Sequence, residues 1–273
     1  MDDPRSAPGP VAVRSEAELA GWLAGGPVTV VALSGGVDSA VVAALAHRAA
    51  PDRLWAVTLT GPAVGAAELE RAQAVARAVG LRHVLLPVDP LAVEGYRTNP
   101  SNRCYFCRST EATALRAFGA RVGAGRFVDG VHRDDLADDR PGLRALAEAG
   151  FEHPLLWAGW GKAEVRATAR RIGLPNWDAP SESCLASRVP HGTPIAEELL
   201  ARIAAAEAAL HQRGYGRVRV RVEGPGARVE VDAEQLPRLL APAETAAVVR
   251  ELQQRGFAPV RIDPKGYLRR ANA

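Results

Sequence analysis

Six residues constrain this chain more than any other feature. Ser34-Gly-Gly-Val-Asp-Ser39 follows a continuous apolar, β-branched run, Val28 to Leu33, and runs into a helical stretch from Asp38 to Arg48. Such a run reads as a strand buried on both faces of a parallel sheet. Small residues between strand and helix let the backbone approach an anion. The helix N-terminus supplies free N–H groups and a favourable dipole. The hydroxyls of Ser34 and Ser39 add donors. Asp38 would repel a phosphate unless a cation bridges the two, which points to Mg²⁺. The GxxxxGK[ST] pattern is absent, so this is not a P-loop NTPase loop. A glycine-rich turn with no ligand is the alternative.

The pattern around the loop repeats strand and helix. Further strands are expected at 54–59, 83–88 and 126–129, with helices at 15–24, 68–79, 110–118 and 162–172. That alternation predicts an α/β fold with a parallel sheet. Ligands of such sheets bind beyond the carboxyl ends of the strands, which here carry Val57-Thr58 and Asp129-Gly130.

After Pro194 the pattern changes. A helix is expected from Ile195 to Arg213. Arg217-Val-Arg-Val-Arg-Val222 and Arg228-Val-Glu-Val-Asp232 alternate strictly, and a helix at 245–254 and a short strand at 260–263 follow. The chain therefore divides into a loose arm at 1–14, an α/β domain at 15–185 and a small α+β domain at 186–273. If Val222 and Val229 both face the core, the hairpin turn holds four residues, Gly224 to Ala227. That register sets Arg221 opposite Glu230 and Arg219 opposite Asp232. The arginine face is either solvated and ion-paired or an anion site.

Composition narrows the class. The 273 residues are 47% hydrophobic with a net charge of +3, enough for a folded core and too mild to argue for a nucleic-acid partner on its own. No apolar run is long enough to span a membrane. The acidic start lacks a secretory h-region, so a cytoplasmic protein is expected. Only two of the 34 basic residues are lysines, Lys162 and Lys265. Lys162 opens a helix, Lys-Ala-Glu-Val-Arg166, either as a solvated helix start or as a cation for a phosphate.

The cysteines are Cys104 and Cys107, a CxxC, and Cys184. Zinc would want a fourth ligand, and no histidine lies near the CxxC. An iron–sulfur cluster on three cysteines would leave one iron open for an exogenous sulfide. A sacrificial Cys184, a structural zinc and free thiols are the other readings.

SGGVDS after an apolar strand resembles the pyrophosphate loop of the PP-loop ATP pyrophosphatases. Further motifs sharpen the likeness: Asn99-Pro-Ser-Asn-Arg-Cys104-Tyr-Phe-Cys107, Asp134-Asp135 with Asp139-Arg-Pro-Gly142, Ser183-Cys-Leu-Ala-Ser-Arg188 and Pro190-His-Gly-Thr193. Together they resemble the ATP-dependent sacrificial sulfur transferases, the LarE family, over about residues 15–268. The chain departs from the family pattern at Val131-His132-Arg133, at His191 and in the tail Arg269-Arg270-Ala-Asn-Ala.

The resemblance implies the following. ATP and pyrophosphate would be bound by Ser34, Gly35, Gly36, Asp38, Ser39, Thr58, Asp129, Gly130 and Lys162, with Mg²⁺ on Asp38. Asp38, Lys162 and Cys184 would be catalytic. A [4Fe-4S] cluster would sit on Cys104, Cys107 and Cys184. Ser187, Arg188, Arg219 and Arg221 would bind substrate, and Glu207 and Glu230 would place a metal near the sulfur. The reaction would adenylate a pyridinium mononucleotide carboxylate and turn it into a thiocarboxylate for a nickel-pincer cofactor. A sulfur-donating desulfurase and a second copy of the chain are the expected partners. Rival readings are a tRNA thiolase, an amide-forming synthetase of the NAD/GMP type and a non-catalytic nucleotide-binding protein. His132 and His191 read as polar pocket-wall residues.

Overall fold

The computed structural model describes residues 13–137, 141–180 and 182–267. Most of the expected arm at 1–14, Asp139-Arg140 and the tail at 269–273 lie outside them. The strands are β1 (Val28–Ala32), β2 (Leu54–Thr60), β3 (His83–Pro87), β4 (Ala124–Val128), β5 (Val218–Glu223), β6 (Gly226–Val231) and β7 (Val260–Ile262). The longer helices are α1 (Glu16–Ala24), α2 (Val37–Ala49), α3 (Ala66–Val79), α4 (Arg103–Arg121), α5 (Pro141–Glu148), α6 (Lys162–Arg171), α7 (Glu197–Gln212) and α8 (Pro242–Gln254). No helix among the described residues is long and apolar enough to cross a membrane.

The chain forms two compact units. The first holds residues 1–60, 66–88 and 108–182, and the second holds 61–65, 89–107 and 183–273. The first is the α/β fold the alternation predicts, with a four-stranded parallel sheet in the order β3-β2-β1-β4. Central β1 is buried because helices cover both faces of a parallel sheet. Helix α2 is buried from Ser39 to Ala46, a stretch made of Ala, Val and Leu after its first serine, so the strand–loop–helix unit sits in a hydrophobic core.

The second unit has a three-stranded sheet, β5-β6-β7, antiparallel then parallel. Its make-up differs from a single boundary at 185/186, because 89–107 clusters with the C-terminal part. Buried Asn99 explains this: its Nδ2 donates to Pro190 O at 2.8 Å and Thr193 O at 2.9 Å, and its own carbonyl accepts from Gly192 N–H at 2.8 Å. Tyr96 is buried in the same cluster as Leu185, Ile195 and Tyr215.

Two local readings are corrected. The helix expected at 110–118 begins at Arg103, so Cys104 and Cys107 sit on its first turns. The hairpin turn holds two residues, Gly224-Pro225, because Glu223 pairs with Gly226. Arg219 therefore lies opposite Glu230, and Arg221 opposite Arg228. The valine face survives the shift, with Val218, Val220 and Val222 opposite Val231, Val229 and Ala227. A turn shortened by two residues keeps side-chain parity, so the apolar pattern alone does not distinguish the registers.

Candidate active site

The phosphate loop is held in shape by its own hydroxyls. Ser39 Oγ accepts from Ser34 N–H at 3.1 Å and donates to Gly36 O at 3.2 Å, and the two serine hydroxyls lie 3.1 Å apart. Gly36 is the N-cap of α2 and contributes no side-chain cap, so the first-turn N–H groups are open to an anion. Gly35 has φ +82°, and a Cβ there would stand 2.3 Å from Glu68 O. Gly130 is equally constrained: a Cβ would lie 2.5 Å from Ser39 N. The Asp129-Gly130 segment thus abuts the start of α2, as the sheet-end argument expects.

Above the loop is a cavity of about 140 Å³ lined by Ser34, Gly36, Asp38 and Lys162, together with Glu68, Arg71 and Glu182. Lys162 Nζ donates to both oxygens of Asp38, at 2.8 and 2.6 Å, across 124 residues of sequence. Its own backbone is fixed, because Lys162 N–H donates to Asp134 Oδ2 at 2.8 Å and Gly161 N–H to Glu164 Oε2 at 2.9 Å. The Lys162 bond holds the Asp134 carboxyl below the usual range, with smaller help from His132 and Arg133. His132, a departure from the family pattern, is buried with Nε2 at 3.7 Å from Asp38 Oδ1. His191 is exposed.

The sulfur residues gather in the second unit. Cys104, Cys107 and Cys184 are not in disulfides. Cys184 is the N-cap of a 3₁₀ turn, Leu185–Arg188. Burial pushes its thiol up in pKa, Arg103 opposes this most strongly, and Cys104 pushes it up further. Arg188 ties the segment down. Its Nε and NH2 donate to the two oxygens of Glu207 at 2.9 and 2.8 Å, and its NH1 donates to Cys184 O and Ser187 Oγ, each at 3.0 Å. Glu207 Oε1 also accepts from Val220 N–H at 2.9 Å.

Three comparisons bear on this geometry. The asparagine synthase family profile matches residues 23–99, the segment that carries the phosphate loop. An uncharacterized protein of Synechocystis sp. is 40% identical over 238 residues, 87% of this chain and 89% of that one. The pyridinium-3,5-bisthiocarboxylic acid mononucleotide synthase of Lactiplantibacillus plantarum is 31% identical over 238 residues, 87% and 86% of the two chains. The chain belongs to the LarE family. It is an ATP-using enzyme of a sulfur-transferase family, on a PP-loop α/β fold with a smaller mixed second unit.

The side-chain surroundings of four further expected site residues are as follows. Thr58 is 2% exposed; its hydroxyl donates to Leu33 O at 2.7 Å and meets His83 Nε2 at 2.8 Å, so the side chain braces the strands. Arg188, 3% exposed, donates to Glu207 and to the 183–187 segment. Glu207 is taken by Arg188 and Val220, and Glu230 by Arg221 at 2.6 Å and Arg228 at 2.9 Å. Among the described residues no three His, Cys, Asp or Glu come together as a group that could hold a metal ion. Arg221 also reaches Ser187 O at 3.3 Å, and Arg219 is 2% exposed with NH1 on Val218 O at 2.7 Å. The arginine face is thus buried at Arg219, ion-paired to Glu230 at Arg221, and partly exposed and paired to Asp232 at Arg217.

The structure adds residues that no motif announced. Asn176 Nδ2 donates to Gly35 O at 2.9 Å and steadies the loop from 141 residues away. His153 Nδ1 lies 2.8 Å from Asp129 Oδ1, while Asp129 Oδ2 is buried with no hydrogen-bond partner among the described residues. A buried carboxylate oxygen without a donor suits a ligand hydroxyl. Burial pulls the His153 pKa down, but the hydrogen bond and charge of Asp129 outweigh it and leave it raised above 6.5. The stabilisation from this pair is therefore complete below the unfolded value and lost as pH rises through the raised folded one. The stability gap between the native chain and His153→Gln is expected to be widest at mildly acidic pH and to narrow towards alkaline pH, read by denaturant unfolding across a pH series.

Proposed function

We propose that this enzyme activates a substrate carboxylate as an acyl-adenylate with ATP and converts it to a thiocarboxylate, with sulfur delivered from the Cys184 segment. The substrate class is a pyridinium mononucleotide bearing carboxylates, by analogy with the Lactiplantibacillus relative's product. The observation that carries the reading is the uncapped N-terminus of α2 at a cavity lined by the Lys162–Asp38 ion pair. A triphosphate entering there meets open N–H donors and takes Lys162 from Asp38. Lys162 then faces the charge that builds as pyrophosphate leaves the α-phosphorus.

Asp38 is the residue that would hold Mg²⁺. A single carboxylate with phosphate oxygens and waters is an ordinary donor set for that ion, which would neutralise the phosphates. Asp129 and His153 suit a ligand hydroxyl at the end of β4. Cys104, Cys107 and Cys184 are the residues that would hold an iron–sulfur cluster, although among the described residues they do not come together as a metal-binding group. Iron content and a broad visible absorbance after anaerobic reconstitution test whether these thiols assemble one.

The test is ATP–pyrophosphate exchange over a panel of carboxylates. Exchange with the pyridine dicarboxylate mononucleotide, followed by thiocarboxylate formation when a sulfur source is present, is the expected result. Exchange with no carboxylate in the panel would remove the reading. The asparagine synthase match favours one rival, an amide-forming enzyme. It predicts that ammonia, and not sulfide, discharges the adenylate.

A further inference from the structure

Two cations line the cavity above the phosphate loop, and each has a carboxylate beside it. Lys162 is bonded to both oxygens of Asp38, at 2.8 and 2.6 Å. Arg71 is held far more loosely. Its NH2 lies 4.0 Å from Glu182 Oε1, beyond hydrogen-bond distance. Among the described residues its guanidinium makes no hydrogen bond and meets no other carboxylate within ion-pair distance. The side chain is only 25% exposed, so a partly desolvated fork of N–H donors stands uncommitted at the cavity.

The backbone puts it there. The turn of α3 from Glu68 to Ala72 packs on the phosphate loop, since a Cβ on Gly35 would stand 2.3 Å from Glu68 O and 3.1 Å from Ala72 N. Arg71 belongs to that turn, so the base of its side chain is fixed relative to the loop.

Charge decides what such a cavity can hold. Three carboxylates, Asp38, Glu68 and Glu182, line it against the two cations. A polyphosphate meets net repulsion there while both cations stay with their own carboxylates. The looser pair yields first. An ion pair at 4.0 Å with both side chains partly in water contributes little, whereas a guanidinium binds phosphate through two charge-assisted hydrogen bonds.

We propose that Arg71 is a phosphate-binding residue of this cavity, kept in reserve by Glu182 and released to the terminal phosphates of ATP, the part that leaves as pyrophosphate. This deepens the adenylation reading and rests on it. Lys162 from α6 and Arg71 from α3 together offset the charge of the polyphosphate. Glu182 competes for the same guanidinium, so it tunes affinity without touching the ligand.

Titration calorimetry of the full chain with Mg²⁺ and inorganic pyrophosphate, ATP or AMP tests this. Arg71→Gln should weaken pyrophosphate and ATP about tenfold or more, because a charge-assisted contact is lost, and leave AMP within about twofold. Arg71→Lys, which keeps the charge and loses the fork, should fall between native and Arg71→Gln. Glu182→Gln should bind pyrophosphate about two- to fivefold more tightly, a gain that a misfolded variant cannot produce. Pyrophosphate affinity in Arg71→Gln within about twofold of native overturns the proposal, and so does an equal loss for AMP, which marks Arg71 as a prop of α3. Unchanged or weaker pyrophosphate binding in Glu182→Gln overturns the reserve role. Pyrophosphate binding that depends on Arg71, in a native chain that shows no ATP–pyrophosphate exchange with any carboxylate, removes the adenylation reading and leaves the phosphate contact standing. A native chain that binds neither ATP nor pyrophosphate removes both.

Discussion

Lys162→Met is expected to lower ATP–pyrophosphate exchange by roughly two to three orders of magnitude while leaving the fold intact, consistent with loss of one preorganised stabiliser of developing charge. The lysine and its partner Asp38 are each about a quarter exposed, 26% and 23%. Their pair is therefore worth no more than about 1 kcal/mol to stability. Its value to binding is larger. Without Lys162 the Asp38 carboxylate stands uncompensated at the mouth of the phosphate loop and repels the triphosphate. At about 4 Å and an effective dielectric of about 20, two unit charges interact by about 4 kcal/mol before screening. The two effects separate in the double variant Asp38→Asn/Lys162→Met. Removing the stranded charge should recover ATP affinity, seen in KM, with kcat still depressed. Exchange in Lys162→Met within about threefold of the native rate would show that the lysine is only a helix start.

Arg188→Met is expected to have the largest effect on stability. Both members of the Arg188–Glu207 pair are buried, with side chains 3% and 8% exposed. Removing one partner leaves a buried carboxylate without its cation, a loss of about 3–5 kcal/mol. In a chain of ordinary stability that is a large fraction of the total, and it lowers the melting temperature by about 10 °C or more. The cost comes from the stranded charge more than from the lost attraction. The double variant Arg188→Met/Glu207→Gln should therefore be more stable than Arg188→Met alone, as read by thermal unfolding followed by circular dichroism. If the single variant melts within about 2 °C of the native chain, the pair is not the strut inferred from its geometry.

Much of this was legible before any coordinates. The apolar run at 28–33 and the glycine pair after it announced a buried strand feeding a helix, and β1 and α2 follow within a residue. Lys162 stood out because the chain is so poor in lysine. Other features were hidden for physical reasons. Arg188 and Glu207 carry charges that composition places on a surface, and their pairing depends on α7 bringing Glu207 against a turn 19 residues away. The hairpin register escaped because a shift of two residues leaves the valine face unchanged. His153 and Asn176 sit in no motif and act only through residues far along the chain.

The division follows from range. Local sequence determined whatever depends on neighbours within a turn or a strand: the parallel α/β alternation, the uncapped helix behind Ser34–Ser39 and the cysteine positions. Tertiary structure decided which charges meet. It set Lys162 on Asp38 and Glu207 on Arg188. Ion pairing inside a protein depends on distance and burial, and neither is written in sequence separation.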